Sequence, residues 1–379
     1  MDLRESQSSW WSSMSSRKGR AQTSLIEWLL EKQNPSARYL TLRDLLARAE
    51  NDPEVVEAKA AIPASDVVNR IFSKQKPEGH WEEKGSPYQP TYKATYWQLM
   101  TLGQLGIDRS DERVQRTCNY IFSLQLPNGG FSSYTAEGAV DEFELEKRKT
   151  VAKGKPLPEF DTWAQALVKE HEYSCLTGNV AAALIRLGYG KDPRVKKALD
   201  WLLSVQNHDG GWLCPYWKAH IKDKHGCFYG TICPLEALSE VPDVERTSEM
   251  QSAIERAAEF LLMHRLYKAD HHSFKAIRPS WLKFSFPWFY GYDILRGLSV
   301  VTKLGFVDDE RLTDAGKVLV QKRCADGAWL LDSAPIGRMQ TNLEPVGRPS
   351  KWITLYALRV LKRMEQTSNR KLKGILASA

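Results

Sequence analysis

The stretch Gln206 to Trp212 (QNHDGGW) decides the fold, because its pattern returns along the chain. In each copy a glycine stands two residues before an aromatic residue and follows an apolar stretch at helical spacing. We interpret each copy as the end of an amphipathic helix, a turn that permits positive φ at glycine, and an aromatic side chain folding back onto the helix. The other copies are Gln75 to Trp81 (QKPEGHW), Gln125 to Phe131 (QLPNGGF) and Arg323 to Trp329 (RCADGAW).

A second kind of helix, apolar and poor in charge, alternates with the charged helices of these repeats. Six apolar helices are predicted, roughly over residues 35–46, 91–105, 172–187, 226–238, 289–304 and 350–361. A charged helix keeps one face in water, whereas an apolar helix has to be covered on all sides. The pattern predicts an all-α fold, an α/α toroid in which six outer helices surround six inner helices. An open helical solenoid is the alternative.

Composition and charge exclude several classes of protein. The chain has 379 residues, of which 42% are hydrophobic and 26% charged, an ordinary globular profile. No uninterrupted apolar run approaches the roughly 20 residues of a membrane span, and the first 22 residues lack the apolar core of a secretory signal. We therefore expect a cytoplasmic protein without an integral membrane segment. The 53 basic and 46 acidic residues are spread along the whole length, so no nucleic-acid partner is expected.

The repeat divides the chain into three parts. Residues 1–22 are predicted to form a flexible, Ser-rich N-terminal tail, residues 23–365 a single toroid domain, and residues 366–379 a C-terminal tail. Residues 132–170 break the period and show no helical partner, so they form an insertion in the toroid. Insertions of this length without structure are uncommon in compact domains unless they are lids or disordered. We expect this one to be a lid at the loop end of the ring.

The repeat resembles that of squalene-hopene cyclases, oxidosqualene cyclases and protein prenyltransferase β subunits. The copies QKPEGHW and QNHDGGW carry the resemblance, which extends over roughly residues 25–363. It implies an α/α toroid with an apolar central cavity, and an enzyme whose substrate is a hydrophobic small molecule, isoprenoid or aromatic. The sequence contains no Asp-x-Asp-Asp run, the acid motif of the proton-initiated cyclases in this group, and no Asp-rich diphosphate-binding run.

Cysteine and histidine cluster at two predicted inner-helix starts. In a ring of parallel inner helices the N-termini gather at one mouth, where backbone N–H groups favour anions and lower the pKa of thiols. His171 precedes Cys175 at one start, His225 precedes Cys227 at the next, and Cys214 lies in the loop between. Thiolate and imidazole are ligands that Zn²⁺ prefers, and we predict a zinc site at Cys175, Cys214, His225 and Cys227. Buried cysteines that serve as small hydrophobes are the alternative.

The same resemblance implies zinc chemistry at these residues. Protein prenyltransferases use Asp-x-Cys at one inner-helix start and a histidine at another. His225-x-Cys227 is similar to the first with histidine for aspartate, and His171 is similar to the second. Lantibiotic cyclases, another toroid group, bind zinc through two cysteines and one histidine in a comparable region.

Other polar residues at the mouth are candidate catalytic groups. They can serve as acids, bases or anion-binding groups, or lie on the solvated rim. Asp293 follows the aromatic run 286–290 (FPWFY), and a carboxyl group in an aromatic wall has a raised pKa and becomes a proton donor. His171 is expected to be a substitute ligand or a nearby base. The full candidate set is Lys93, Tyr96, His171, Tyr292, Asp293 and Lys351.

Three functions fit these features. The preferred one is an enzyme that acts on an isoprenoid or aromatic molecule held by some of the 13 Trp, 14 Tyr and 12 Phe, with zinc assisting. The second is a non-catalytic protein that binds a hydrophobic ligand in the same cavity. The third is an interaction scaffold that uses its basic surface to bind another protein.

Overall fold

The structure is a computed structural model that describes residues 25–213, 225–270 and 273–377, with side chains up to residue 366. The predicted N-terminal tail, residues 1–22, lies outside the described residues, and so does Cys214. Within the described ranges the regular structure is helical, and β pairing is confined to isolated bridges. None of the described helices has the length and apolar character needed to cross a membrane.

The described helices follow a helical turn at residues 25–29. Along the chain they are α1 Pro35–Leu40, α2 Pro53–Ala61, α3 Asp66–Phe72, α4 Thr95–Leu105, α5 Glu112–Ser123, α6 Val140–Val151, α7 Phe160–Glu170, α8 Ser174–Leu184, α9 Pro193–Ser204, α10 Phe228–Glu240, α11 Ser248–Met263, α12 Ile294–Lys303, α13 Thr313–Gln321 and α14 Lys351–Ala377.

Six of these helices form an inner ring. They are α1, α4, α8, α10, α12 and α14, and every residue of α4 and α8 is buried. Contacts run from α4 through α8, α10 and α12 to α14 and on to α1. Tyr39 of α1 lies against Gly106 at the end of α4, which closes the ring. Within the described residues, the predicted toroid of inner and outer helices is confirmed.

The outer layer buries only one face of each helix. It consists of residues 25–29, α2 with α3, α5, α9, α11 and α13. In α5, for example, Val114, Cys118 and Ile121 are fully buried, while Glu112 and Gln115 are exposed. This is the alternation of charged and apolar helices that the sequence indicated.

The repeat glycines allow the outer helices to approach closely. Gly79, Gly129, Gly210 and Gly327 all have φ between 86° and 106°, the left-handed region that suits glycine. A Cβ atom at Gly210 would clash with the carbonyl oxygen of Arg256 in α11. The glycine therefore serves both the turn and the contact with the next outer helix.

Each repeat aromatic joins an outer helix to the next inner helix. The indole of Trp212 donates to the carbonyl oxygen of Leu202 in α9 at 2.8 Å, and its backbone N–H donates to Oγ1 of Thr231 in α10 at 3.1 Å. The amide of Gln206 donates to the carbonyl oxygen of Ala253 in α11 at 2.9 Å. One turn thus joins three helices, and the expected bond from glutamine to loop backbone also forms, to Gly210 at 2.8 Å.

Two expectations about irregular segments change. The insertion 132–170 has helical partners after all, because α6 and α7 pack together through Phe143, whose ring lies 5.2 Å from Phe160 and 5.2 Å from Trp163. Aromatic residues spaced along two short charged helices gave too weak a periodicity to reveal the pair. At the other end, α14 extends to Ala377, into the stretch expected to be a tail.

Candidate functional site

One non-helical stretch, residues 284–293, contacts the inner helices α4 and α14 near their N-terminal ends and leads into α12, and we call it the plug segment. Phe286 stacks on Trp352 at the start of α14, with ring centroids 4.4 Å apart and planes at 13°. Phe289 meets Trp97 near the start of α4 edge-on, at 5.1 Å. The plug segment therefore covers the mouth at which the sequence placed the functional residues.

Side chains of the inner helices hold the backbone of the plug segment. The amide of Gln104 donates to the carbonyl oxygen of Trp288 at 2.7 Å and its Oε1 accepts from the Trp288 N–H at 2.9 Å. Asn179 donates to the carbonyl oxygen of Phe289 at 3.0 Å, and Arg296 donates to the same oxygen at 2.7 Å. These bonds satisfy backbone groups that are buried away from water.

Nine aromatic side chains lie here in two groups, five around Trp97 and four around Tyr356 and Phe286, and together we call them the aromatic mouth. Neighbouring ring centroids lie between 4.2 and 6.1 Å apart. Such a surface buries hydrocarbon and offers π faces to a cation. Its members are Tyr88, Tyr92, Trp97, Phe286, Trp288, Phe289, Tyr290, Trp352 and Tyr356.

A charged network lies beneath the plug segment. Glu236 pairs with Arg296 at 2.6 Å and also with Arg186, and Glu240 pairs with Arg186 at 2.8 Å and with Lys303 at 2.7 Å. Burial opposes ionisation of Glu236, but the two guanidinium groups hold the pKa of that carboxyl below its usual value. The centre of the ring is thus ionic rather than apolar.

The space on the ring axis is small. At this place the structure has a cavity of about 10 Å³, lined by Gln104, Asn179, Trp288 and charged residues of the network. Within the part of the chain that the structure describes, the plug segment borders this space. The apolar central cavity that the resemblance implies stays a prediction.

Asp293 lies at the junction of the plug segment and α12. Its Oδ1 accepts from the N–H of Arg296 at 2.9 Å, which makes it the N-cap of α12, and its Oδ2 accepts from Oγ of Ser285 at 2.7 Å and from the Ser285 N–H at 3.1 Å. Burial raises the pKa of Asp293, although the bonds from Ser285 work in the opposite direction. The role of Asp293 as a proton donor stays a prediction.

The two candidate tyrosines are anchored by hydrogen bonds. Tyr292 donates to the carbonyl oxygen of Leu266 at 2.7 Å, and Tyr96 donates to that of Ser132 at 3.2 Å. Burial raises the pKa of both phenols, and the Asp293 carboxylate adds to the effect at Tyr292. Both hydroxyl groups are therefore neutral and occupied.

The candidate lysines are separated from each other. Lys351 pairs with Glu31 at 2.7 Å and lies over the ring of Trp28, so its ammonium faces the outer layer rather than the ring axis. Lys93 lies on the rim, where its carbonyl oxygen accepts from the amide of Gln340 at 3.0 Å. The structure does not bring the two ammonium groups together.

His171 lies at the end of α7, away from the plug segment. Its Nδ1 is 3.0 Å from the carbonyl oxygen of Leu167, and its ring packs on Tyr134 and Tyr173. These contacts place it on the flank of the mouth, where the insertion joins α8.

The predicted zinc ligands occupy different settings. Cys227 is the N-cap of α10, with its Sγ accepting from the N–H of Gly230 at 3.0 Å, and Cys175 is buried in α8. The His225 side chain is half exposed, with Nδ1 2.7 Å from the carbonyl oxygen of Gly226. Among the described residues, no group of three or more potential ligands is arranged to hold a metal ion. The fourth predicted ligand, Cys214, lies outside the described residues.

Sequence reasoning missed the polar residues of the ring interior. Gln104, Asn179, Glu236 and Arg296 are all at most 5% exposed, yet each stands in a helix identified by its apolar character. A polar residue in a helix that is covered on all sides has to find a partner inside. A single polar residue within an otherwise apolar helix was therefore the sequence feature that could have identified these four residues.

Family models match two overlapping parts of the chain. The squalene-hopene cyclase C-terminal domain matches residues 99–271, and the prenyltransferase alpha-alpha toroid domain matches residues 39–145. No curated protein matches the chain.

Several solved structures are similar at low identity. A protein from Actinoplanes is 16% identical, with 89% of this chain and 90% of that chain covered and a TM-score of 0.41. The type II terpene cyclase MstE from Scytonema in its apo form is 16% identical, with 88% and 87% covered and a TM-score of 0.40. An MstE variant in complex with merosterolic acid A, its product, is 15% identical, with 90% and 97% covered and a TM-score of 0.42.

The family models bear on the resemblance that the repeat predicted. They cover residues 39–271 between them, including three of the four repeat copies. The predicted resemblance to squalene-hopene cyclases and to the prenyltransferase toroid is confirmed.

Proposed function

We propose that this chain acts on an isoprenoid, or on an aromatic molecule bearing an isoprenoid chain, at the aromatic mouth. The observation that carries the proposal is the set of nine aromatic rings, in two groups, that the plug segment forms with the inner helices and the residues before α4. Aromatic faces bury hydrocarbon and stabilise carbocations, the two requirements of isoprenoid chemistry. The family-model matches to cyclase and prenyltransferase domains support the same substrate class.

Ligand entry requires the plug segment to move. At its start Phe284 accepts from the backbone N–H groups of Asp332 and Ser333. The backbone of Trp288 and Phe289 is held by side-chain amides and a guanidinium, so this part can move without unfolding a helix or a sheet. The indole N–H of Trp288 is also buried and finds no hydrogen-bond partner among the described residues. A buried donor without an acceptor costs about 1–3 kcal/mol, and displacement of the plug segment removes that cost. The ligand would then take the place that the plug segment occupies.

Movement of the plug segment would also change Asp293. The two bonds that its Oδ2 accepts both come from Ser285, which belongs to the plug segment. Those bonds favour the ionised carboxylate, so their loss raises the pKa of Asp293 further. A neutral carboxyl group facing an aromatic-lined space is a proton donor suited to start a cyclisation. We assign Asp293 that role in the proposed reaction.

Zinc assistance is part of the same proposal. A zinc ion at Cys214 and Cys227, with His225 or Cys175 as further ligand, would act as a Lewis acid beside the mouth. Thiolate and imidazole donors suit the ion. Its test is the metal content of the purified protein, given in the Discussion.

A non-catalytic ligand-binding protein is the second candidate. The N-cap role of Asp293 favours it, because a carboxylate that accepts three hydrogen bonds has a structural function without any reaction. The lack of an Asp-x-Asp-Asp run favours it as well.

One experiment separates the two candidates. The purified full chain is incubated with geranylgeraniol and with a geranylgeranyl-substituted phenol, binding is followed by tryptophan fluorescence, and products are analysed by gas chromatography with mass detection. Binding with a cyclised product that disappears in Asp293→Asn, but not in the exposed control Asp243→Asn, supports the enzyme. Binding without product in any variant supports the binding protein. The absence of binding to both ligands contradicts both candidates.

A further inference from the structure

Two carbonyl oxygens of the plug segment accept hydrogen bonds from buried side chains of the inner helices. The oxygen of Phe289 accepts from Nη1 of Arg296 at 2.7 Å and from Nδ2 of Asn179 at 3.0 Å. The oxygen of Gly291 accepts from the same Nη1 at 2.9 Å. Arg296 is 1% exposed and Asn179 is 5% exposed. We call Nη1 of Arg296 and Nδ2 of Asn179 the donor pair.

The other polar atoms of Arg296 hold its guanidinium group in place. Nε donates to the carboxylate of Glu236 at 2.8 Å, and Nη2 lies 2.6 Å from the same carboxylate. Nη2 also donates to Oδ1 of Asn179 at 3.1 Å, so the two side chains orient each other. These contacts involve helices α8, α10 and α12 and no atom of the plug segment. The donor pair therefore keeps its geometry when the plug segment moves.

Movement of the plug segment changes the acceptors of the donor pair. This step rests on the proposed function, in which the ligand takes the place of the plug segment. Three hydrogen bonds then lose the carbonyl oxygens of Phe289 and Gly291. A guanidinium group stays charged, and buried N–H groups without an acceptor are costly. A ligand that brings only hydrocarbon to this place would leave all three bonds unmade.

The number of donors distinguishes between possible head groups of the ligand. A hydroxyl group offers one oxygen and brings a hydrogen of its own, whereas a carboxylate offers two oxygens and about four acceptor sites. Two oxygens can replace the two carbonyl oxygens, and a hydrogen bond between charged groups is stronger than one between neutral groups. A diphosphate would bring two or more negative charges to a donor pair with one guanidinium. The sequence also contains no Asp-rich diphosphate-binding run.

We propose that the isoprenoid ligand of the aromatic mouth is an acid, and that its carboxylate binds to the donor pair in place of the carbonyl oxygens of Phe289 and Gly291. The aromatic mouth begins beside this position, since Phe289 meets Trp97 edge-on at 5.1 Å. The carboxylate thus fixes the inner end of the ligand, and the hydrocarbon chain packs on the aromatic rings.

Two ligands with the same hydrocarbon chain test the head group. The purified full chain is titrated with geranylgeranoic acid and with geranylgeraniol at about pH 8, where a free carboxyl group is ionised. Binding is followed by tryptophan fluorescence. The wild type should bind the acid about tenfold more tightly or better, because the acid restores charge-assisted hydrogen bonds. Equal affinities, or tighter binding of the alcohol, overturn the inference and leave the proposed function standing.

Arg296→Lys tests the donor pair itself. Lysine keeps a positive charge beside Glu236 but loses the planar fork that reaches two oxygens. The ratio of the two affinities should therefore fall by roughly tenfold. The matched control is Arg116→Lys on the exposed face of α5, which should keep the wild-type ratio. A wild-type ratio in Arg296→Lys overturns the inference.

Far-UV circular dichroism and thermal unfolding of each variant guard against loss of folding. If Arg296→Lys does not fold, Asn179→Ala takes its place, because it removes the other donor. The same fall in the ratio of affinities is expected. A folded Asn179→Ala variant with the wild-type ratio overturns the inference.

The remaining outcomes separate this inference from the proposed function. If neither ligand binds, the proposed function fails and the inference fails with it. Geranylgeranyl diphosphate is titrated as a third ligand. If it binds more tightly than the acid and Arg296→Lys weakens that binding, the carboxylate is the wrong head group, although the ligand is still an isoprenoid.

Discussion

The side-chain amide of Gln104 forms two hydrogen bonds with the backbone of Trp288, one to its carbonyl oxygen at 2.7 Å and one from its N–H at 2.9 Å. The two residues are 184 positions apart in the sequence. Gln104 lies in an inner helix, and Trp288 lies in the plug segment at the centre of the aromatic mouth. This pair of bonds is therefore the most direct link between the wall of the ring and the segment that closes it.

Gln104→Leu should destabilise the protein by about 2–4 kcal/mol. Leucine leaves the N–H and the carbonyl oxygen of Trp288 buried without partners, and each such group costs about 1–3 kcal/mol. Urea unfolding measures the change. The matched control is Gln251→Leu on the exposed face of α11, which should stay within about 0.5 kcal/mol of the wild type. Equal stabilities of the two variants would show that the Gln104 bonds do not hold the plug segment.

Stability should fall with acid because of Glu236. Burial opposes its ionisation, but Arg296 and Arg186 lower its pKa below the usual 4.5 in the folded chain. The unfolded chain therefore takes up a proton first, so the contribution is fully present above pH 4.5 and is lost as pH falls further toward the folded pKa. Unfolding free energies measured between pH 7 and pH 3 should show this decline.

A variant isolates this contribution. Glu236→Gln removes the carboxylate and leaves two buried guanidinium groups without it, at a cost of about 3–5 kcal/mol at neutral pH. Part of the acid-dependent decline should disappear with it. Glu255→Gln, exposed on α11, is the control and should keep the wild-type stability within about 0.5 kcal/mol. An acid-dependent decline that Glu236→Gln leaves unchanged would mean that other carboxylates cause it.

The architecture was accessible from the sequence because it rests on local periodicity. Alternation of charged and apolar helices and the glycine-aromatic turns repeat along the chain, and Trp81, Trp212 and Trp329 make equivalent indole bonds to their outer helices. The residue of the inner helix that bonds to each repeat turn was harder to predict from the sequence. Thr95 and Thr231 accept the backbone N–H of the preceding repeat aromatics, Trp81 and Trp212, across the gap between helices, and a threonine in an apolar helix has no periodicity of its own.

The site was less accessible, because long-range contacts decide it. The sequence analysis selected Asp293 and Tyr292 because they follow the run 286–290. It did not show that this run borders the space on the ring axis, since that depends on Gln104, far away in the chain. That the insertion 132–170 forms a lid stays a prediction.

Zinc content tests the predicted metal site. If Cys214 and Cys227 are ligands, the purified wild type should contain about one zinc per chain, and Cys214→Ser and Cys227→Ser should each lose it. Elemental analysis of protein purified without added metal makes the measurement. Cys324→Ser, distant in sequence and only partly buried, is the control and should keep its zinc. Wild-type protein without zinc at any pH, or both variants with full zinc, would contradict the prediction.

Limited proteolysis tests whether the insertion takes part in ligand binding. Residues 151–156 between α6 and α7 are exposed, so trypsin should cut after Lys153 well before it cuts within the inner helices. Because the plug segment covers the mouth, geranylgeraniol should leave the rate of this cut unchanged. Strong protection of this bond by the ligand would show instead that the insertion closes over the site.

Hydrogen exchange of the plug segment tests the central claim most directly. Deuterium uptake of the peptide over residues 284–293 is measured in the full chain, with and without saturating geranylgeraniol, and residues 112–123 of α5 serve as the internal reference. If the ligand displaces the plug segment, the N–H of Trp288 loses its acceptor on Gln104, and uptake over 284–293 should rise while the reference stays the same. Unchanged or slower uptake over 284–293 with ligand bound would contradict the account.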